Sequence, residues 1–157
     1  MMRIRKFEFD KDIDAIIPLD RDIMGNRTEK IIKEYYKNYV GEIYVAEENG
    51  EIVGYISLSY PHWNRVAYID HLAVLESKRN MGIGKKLVEK VEGLAKMKGA
   101  RILAVATALW NIKGIDFYKR EGFHLRALLP DWFGKDNDLV WLDKRIAEDQ
   151  DKGKENS

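Results

Sequence analysis

The chain has 157 residues, of which 45% are hydrophobic, and this is the size of one domain that can bury a core without metal or disulfide support. It contains no cysteine, so a disulfide framework, a thiolate metal site and an acyl-cysteine intermediate are excluded. With 27 basic and 26 acidic side chains, the net charge of +1 gives no reason to expect nucleic acid or an anionic membrane as a partner.

The N-terminal residues alternate apolar with charged side chains and lack the continuous apolar core of a signal peptide. No later apolar run reaches membrane-spanning length. We therefore expect a cytoplasmic protein. A charged fraction of 34%, a single glutamine (Gln150) and no cysteine also agree with a source in a hot environment.

The first third of the chain predicts one strand and two helices. Alternation over Arg3–Phe9 indicates the strand, and isoleucines at helical spacing predict a helix over Lys11–Met24. Pro18 is expected to kink or split that helix. Thr28 can cap a second helix that extends to Tyr39.

The rest of the chain predicts six further strands and two helices. Two alternating runs around Asn49-Gly50 predict a hairpin over residues 42–60, since this pair favours a tight turn with positive φ. A strand over 66–75 precedes a helix that ends at Gly99. A buried strand over 100–107, a short helix over 111–121 and two final strands complete the order.

This order predicts an α/β (α+β) fold with a mixed, mostly antiparallel sheet of about seven strands and about four flanking helices. We expect a single domain over residues 1–145. The charged tail over 146–157 has no apolar pattern and is expected to be disordered.

A glycine-containing loop lies where the strand over 66–75 leads into the next helix. Gly82 and Gly84 occupy this turn, and the backbone N–H groups at a helix start have no acceptor within the helix. A diphosphate fits such a position. For an isolated G-x-G, a simple turn is the alternative interpretation. The spacing fits neither a dinucleotide motif nor a nucleoside-triphosphate loop.

Two segments resemble motifs of the GNAT superfamily of N-acetyltransferases. LAVLESKRNMGIGKKL resembles the acyl-CoA motif, with Arg79, Gly82 and Gly84 in register. NIKGIDFYKREGF, from Asn111 to Phe123, is similar to the second family signature. The element order over about nine-tenths of the chain also matches the family. The resemblance implies direct acetyl transfer from acetyl-CoA to a primary amine, without a metal.

The resemblance also implies roles for particular residues. Amides from Arg79 to Lys85 would bind the pyrophosphate, the strand edge around Leu72 and Val74 would pair with pantetheine, and the N–H near Val74 would polarise the thioester carbonyl. Tyr118 would protonate the departing thiolate. The implied coenzyme-binding residues are Leu72, Ala73, Val74, Arg79, Asn80, Met81, Gly82, Ile83, Gly84, Lys85, Asn111 and Tyr118. Lys78, Arg79, Lys85 and Lys86 form a basic cluster beside them, or merely a solvated helix start.

The general base is less clearly marked. In a regular strand Asp70 shares one face with Leu72 and Val74, while His71 points to the other face. Asp70 falls where some family members have a carboxylate, and it is our first candidate. His71 and water are the alternatives.

In the family, the acceptor is bound mainly by segments that correspond here to Asp20–Thr28, Pro61–Arg65 and Pro130–Asp138. These segments and the start of the second helix contain candidate cation-attracting and apolar side chains, namely Asp20, Asp22, Glu29, Trp63, Trp132 and Phe133, each of which is otherwise ordinary surface or core. The last segment loosely resembles protein N-terminal acetyltransferases of the ribosomal-protein type, although Trp-Phe replaces Tyr-Tyr and a clear Asp-Ala pair is missing.

A protein N-terminal α-amine is therefore the first expectation for the acceptor. Its pKa of about 7.7–8.0 demands less from a base than the amine of lysine or a polyamine, with a pKa near 10.4. A small-molecule amine, such as a polyamine, and a noncatalytic acyl-CoA sensor are the alternatives. The sequence leaves a homodimer open.

Overall fold

The computed structural model describes residues 1–147, so residues 148–157 of the expected tail lie outside the described residues. Within this part of the chain there are seven strands and four α-helices. They are β1 (Met2–Lys6), α1 (Phe9–Met24), α2 (Glu29–Lys37), β2 (Glu42–Glu48), β3 (Glu51–Ser59), β4 (Val66–Val74), α3 (Ile83–Met97), β5 (Ile102–Ala108), α4 (Ile112–Arg120), β6 (His124–Leu129) and β7 (Leu139–Arg145).

The strands are hydrogen-bonded in the order β1-β2-β3-β4-β5-β7-β6. The pairs β1–β2, β2–β3, β5–β7 and β6–β7 are antiparallel, whereas β4–β5 is parallel. The predicted mixed, mostly antiparallel sheet with four helices is therefore confirmed. None of the helices within residues 1–147 combines the length and the apolar character needed to span a bilayer.

Two predictions about the first elements were wrong in detail. Strand β1 ends at Lys6, not at Phe9, because Phe9 already belongs to α1. Asp12 explains the early helix start, since its carboxylate accepts the N–H of Glu8 at 2.8 Å and pairs with Arg5 at 2.8 Å. An acidic side chain in the first turn is also favoured by the helix dipole.

Pro18 does not split α1, which runs without interruption from Phe9 to Met24. The proline ring cannot donate to the carbonyl of Asp14, but both residues lie on the exposed side of the helix. Water can therefore hydrogen-bond to that carbonyl. On the opposite face of the helix, the side chains of Ile16, Ile17 and Leu19 are buried in the core. Tertiary packing thus outweighs the local cost of the proline.

Three local signals had the expected outcome. Asn49 and Gly50 both have positive φ, at 53° and 83°, as the tight hairpin turn requires. Thr28 caps α2, because its Oγ1 accepts the N–H of Ile31 at 3.2 Å. Gly99 has a φ of 88° just after the end of α3.

The chain divides into two compact units, so the single-domain expectation stays a prediction. Unit 1 comprises Met1–Ser59 and Asp70–Val91, and unit 2 comprises Tyr60–Ile69 and the part from Glu92 onward. Unit 1 has a core of buried side chains from α1, α2 and three strands, which are Ile13, Ile16, Ile17, Leu19, Ile32, Tyr36, Ile43, Val45, Tyr55 and Ala73. In unit 2, Val66, Ile102 and Ala104 pack with Tyr68 and Trp141.

A buried polar network holds α1, α2 and β3 together in unit 1. Asp20 is fully buried, and it accepts hydrogen bonds from the guanidinium of Arg27 and, at 2.7 Å, from the hydroxyl of Tyr36. The hydroxyls of Tyr36 and Tyr55 are 2.6 Å apart. Asp20 is therefore matched within the protein by Arg27, and it is not exposed as an attractor for an acceptor cation.

We predict that Arg27→Met lowers the free energy of unfolding by about 3 kcal/mol, because it leaves the carboxylate of Asp20 buried without its counter-charge. Urea unfolding at pH 7 measures the change. The double variant Arg27→Met/Asp20→Asn is expected to be more stable than Arg27→Met alone, since the buried charge has been removed. Equal or greater destabilisation of the double variant would contradict the assignment of the cost to an unpaired charge.

Candidate active site

The loop between β4 and α3 has the backbone geometry that the glycine motif predicts. After a short 3-10 turn over Glu76–Lys78, Asn80 and Gly82 have positive φ values of 64° and 82°, and α3 begins at Ile83. The N–H of Lys86 donates to the carbonyl of Gly82 at 3.1 Å. The N–H groups of the preceding first-turn residues therefore have no acceptor within the helix.

The space beside this helix start is open. A Cβ added at Gly82 would meet no other atom within 4 Å, so the glycine is required by its φ and not by crowding within the protein. Ile83 is buried and holds the helix start in place, whereas Met81 is exposed. An anion can approach such a helix start closely, where the helix dipole also favours negative charge. These residues fit the diphosphate of an acyl-CoA.

The basic cluster beside the loop is partly neutralised by carboxylates of unit 1. Lys78 pairs with Glu48 at 2.6 Å, and the guanidinium of Arg79 lies 3.9 Å from Asp22. The Nε of Arg79 also donates to the carbonyl of Val74 at 3.1 Å. The side chains of Lys78 and Arg79 therefore already have partners in unit 1, which makes the backbone amides of the loop the stronger candidates for binding an anion.

Strand β4 presents two different faces. Ile69, His71 and Ala73 are buried, whereas Asp70 is exposed and its neighbours Leu72 and Val74 are half-buried. The expected separation of Asp70 from His71 is confirmed, since successive side chains of a strand point to opposite faces. The parallel pairing of β4 with β5 runs from Val66 to Ile69 and so ends before Asp70.

Asp70 has one defined partner in unit 1. The hydroxyl of Tyr39 donates a hydrogen bond of 2.6 Å to Oδ2 of Asp70. The side chain is otherwise exposed, so its carboxylate is accessible to a ligand. Among the titratable groups of β4, Asp70 therefore combines a fixed position with access from solvent.

His71 is bound on both ring nitrogens inside unit 1. Its Nδ1 lies 2.6 Å from the hydroxyl of Ser57, and its Nε2 lies 3.2 Å from the hydroxyl of Tyr35. Only 4% of the residue is exposed, and burial lowers the pKa of His71 despite the opposing charge of Asp70. A buried, neutral imidazole with a hydrogen-bond partner at each ring nitrogen is typical of a core residue.

Asn111 and Tyr118 lie in unit 2, at the start and on the buried face of α4. Asn111 is the N-cap, with Oδ1 accepting the N–H of Gly114 at 3.2 Å and Nδ2 donating to Thr107 at 3.0 Å. Tyr118 is 7% exposed and lies on the same helix face as buried Ile115. Burial raises the pKa of Tyr118 above its usual value, so its phenol keeps the proton at neutral pH.

The aromatic residues expected near the acceptor are exposed in unit 2. Trp63, Trp132 and Phe133 are 82%, 63% and 50% exposed. The β6–β7 loop is ordered by its own carboxylates, because Asp131 accepts the N–H of Asp136 at 2.7 Å and its own N–H donates to Asp138 at 2.9 Å. These aspartates therefore have a structural part in the loop.

In unit 1, Glu29 pairs with Lys33 at 2.7 Å and is likewise engaged within the protein. Sequence reasoning missed Tyr35, Tyr39 and Ser57, whose hydroxyls contact the two adjacent polar residues of β4. Tyr35 and Tyr39 are four residues apart and would share one face of the helix that the sequence predicts up to Tyr39, although α2 itself ends at Lys37. That spacing was the available signal, but it does not reveal the partner strand.

Comparison with known proteins identifies the family. Residues 13–123 match the model of the acetyltransferase (GNAT) family. An uncharacterised N-acetyltransferase of Methanocaldococcus jannaschii is 30% identical over 146 residues, covering 92% of both chains. An N-alpha-acetyltransferase of Sulfurisphaera tokodaii is 27% identical and covers 83% of this chain and 86% of its own.

A solved structure supports the fold independently. A GNAT family acetyltransferase from Elizabethkingia anophelis with acetyl-CoA bound superposes with a TM-score of 0.77 at 24% identity, covering 92% of this chain and 97% of its own. At this identity the likeness concerns the fold. Together with the family match and the similarity to the Methanocaldococcus protein, it leads to one conclusion: the chain belongs to the GNAT family of acyl-CoA-dependent N-acetyltransferases.

Proposed function

We propose that the protein transfers the acetyl group of acetyl-CoA directly to the α-amine at a protein N-terminus. The observation that carries the choice of acceptor is the similarity to the N-alpha-acetyltransferase of Sulfurisphaera tokodaii over 83% of this chain. Direct transfer agrees with the absence of cysteine from the sequence, because no acyl-cysteine intermediate can form.

The coenzyme is assigned to the end of β4 and the start of α3. The backbone from Arg79 to Lys85 binds the diphosphate, chiefly through N–H groups after that of Arg79, which itself donates to the carbonyl of Glu76 at 3.3 Å. The strand edge at Leu72 and Val74 pairs with the pantetheine amides. The positive φ and open side of Gly82 support this assignment. The N–H near Val74 polarises the thioester carbonyl, which makes its carbon a better electrophile. Asn111 binds the pantetheine arm in addition to capping α4.

Asp70 is the proposed general base. Its exposed carboxylate takes a proton from the acceptor ammonium, and the neutral amine nitrogen then attacks the thioester carbon. His71 is a poorer candidate, because it is buried and both ring nitrogens already have partners. An α-amine, with a pKa near 8, makes only a modest demand on this base.

Tyr118 is the proposed general acid. When the tetrahedral intermediate collapses, the carbon–sulfur bond breaks and the thiolate of coenzyme A takes the phenolic proton. A thiol with a pKa of about 8.5 is a stronger acid than a phenol or water, so its thiolate is a good leaving group at neutral pH even without help. Protonation by Tyr118 prevents its return and adds the rate gain of one general acid.

Coenzyme binding is the first test of the proposal. Acetyl-CoA at a hundredfold excess over Kd is expected to add about 2.7 kcal/mol of stability, which raises Tm by roughly 5–10 °C. Gly82→Val is expected to abolish this rise, because a branched side chain fills the open space and resists a φ of 82°. Differential scanning fluorimetry with and without acetyl-CoA measures both effects.

Gly99→Val is the matched control for that variant. Gly99 has a φ of 88° at the other end of the 15-residue helix α3, and an added Cβ would meet only the Tyr60 hydroxyl at 4.0 Å. Both variants therefore carry similar backbone strain of about 1–2 kcal/mol. A normal acetyl-CoA shift in folded Gly82→Val protein would show that this loop is only a turn.

The acid role of Tyr118 predicts a defect in turnover. Tyr118→Phe keeps the ring and its packing against Phe123, so kcat is expected to fall roughly ten- to a thousandfold while KM for acetyl-CoA changes little. Tyr44→Phe, at another buried tyrosine, controls for loss of a phenol in the core. Wild-type kcat in Tyr118→Phe, with chemistry rate-limiting, would leave water as the acid.

The acceptor class predicts a preference that an amine panel can measure. At pH 8 about half of an α-amine is neutral, whereas less than about 1% of a lysine amine is neutral. Thiol release is therefore expected with peptides that have a free N-terminus and not with the same peptides after N-terminal blocking, even when they contain lysine. Greater activity with spermidine would point to a small-molecule acceptor, and no release with any amine would point to an acyl-CoA sensor.

A further inference from the structure

We propose that Tyr39 is a positioning residue that orients the carboxylate of Asp70 for the acceptor amine. This inference rests on the proposed function, in which Asp70 is the base. Nothing in the sequence motifs points to Tyr39, which follows the last turn of α2 and lies 31 positions before Asp70.

The contact between the two side chains is short and directional. The phenol of Tyr39 donates to Oδ2 of Asp70 at 2.6 Å, a length typical of an O–H group bound to a charged oxygen. Because Asp70 is exposed, its carboxylate would otherwise exchange between rotamers in solvent. The hydrogen bond fixes one oxygen and leaves Oδ1 available to accept a proton.

The surroundings of Tyr39 make it a rigid donor. Its ring contacts the rings of Tyr35 and His71, at centroid distances of 6.1 and 5.9 Å. At Gly41 a side chain is excluded, since a Cβ would lie 2.8 Å from the Tyr39 ring and closer still to the carbonyl of Leu58. The backbone therefore passes directly against the ring, and the phenol can point only within a narrow range.

The protonation state of Tyr39 suits a donor and not a base. Burial and the hydrogen bond to Asp70 both raise the pKa of Tyr39 above its usual value, so the phenol stays protonated throughout the range in which the enzyme would be assayed. Tyr39 therefore acts through Asp70 and takes no proton from the substrate itself.

Tyr35 provides a matched control. It lies four residues before Tyr39 with its ring centroid 6.1 Å from that of Tyr39, but its hydroxyl contacts Nε2 of His71 at 3.2 Å and not Asp70. Tyr35→Phe and Tyr39→Phe therefore remove the same group from neighbouring positions. Only the second variant removes a hydrogen bond from the proposed base.

The experiment is a double-variant cycle with an acceptor peptide on which the wild-type protein is active. Tyr39→Phe is expected to lower kcat about tenfold with KM for acetyl-CoA unchanged, and Asp70→Asn about a hundredfold or more. If Tyr39 acts through Asp70, the double variant Tyr39→Phe/Asp70→Asn has the same kcat as Asp70→Asn alone. Tyr35→Phe is expected to stay within about twofold of the wild type.

The possible outcomes test three claims separately: the positioning role of Tyr39, the base role of Asp70 and acetyl transfer itself. Multiplication of the two defects in the double variant, or an equal defect in Tyr35→Phe, would overturn the positioning role. Wild-type kcat in Asp70→Asn would remove Asp70 as the base and Tyr39 with it, while leaving acetyl transfer intact. Absence of acetyl transfer in the wild-type protein would refute the proposed function itself. The acetyl-CoA-induced rise in Tm, retained in all four variants, confirms that they are folded.

Discussion

The alternation of side chains along β4 is the constraint on which the acidic and basic chemistry of unit 1 depends. One residue separates exposed Asp70 from buried His71, and the pleat gives them opposite faces. His71 is consequently enclosed by hydroxyls and kept neutral, while Asp70 meets solvent with one oxygen fixed. Strand geometry thus directs two adjacent titratable residues into different environments.

The tyrosines around β4 depend in turn on the buried network between α1, α2 and β3. Asp20 requires Arg27 there, since its fully buried carboxylate would otherwise lack a counter-charge. Arg27 also lies over the ring of Tyr35, with its guanidinium carbon 5.2 Å from the centroid. The network therefore fixes the segment from which Tyr35 and Tyr39 reach His71 and Asp70.

The helix start at Ile83 favours an anion through its backbone N–H groups and not through side-chain charge. Lys78 and Arg79 are directed to Glu48 and to the carbonyl of Val74, so their contribution to a diphosphate is smaller than the motif alone suggests. Gly82 keeps the approach open and adopts a φ that other residues resist. The first N–H groups of α3 lack an acceptor within the helix, and together with the helix dipole they favour an anion regardless of how the neighbouring side chains are paired.

Local patterns in the sequence determined the elements and the coenzyme motif, because a turn, a cap or a strand face depends on residues only a few positions apart. The positive φ of Asn49-Gly50, the cap at Thr28 and the opposite faces of Asp70 and His71 were all predictable in this way. The acetyltransferase family was predictable for the same reason, since each of its two motifs is a short contiguous segment.

Only the tertiary structure decided which polar side chains meet. Tyr39 and Asp70 are 31 positions apart, and Ser57 and His71 are 14 positions apart, so no helical or strand periodicity links either pair. Packing likewise kept α1 continuous through Pro18, against the local cost of a proline. Long-range hydrogen bonds and burial depend on how the helices and strands pack. Local patterns in one sequence predict these elements but not which of them pack against each other.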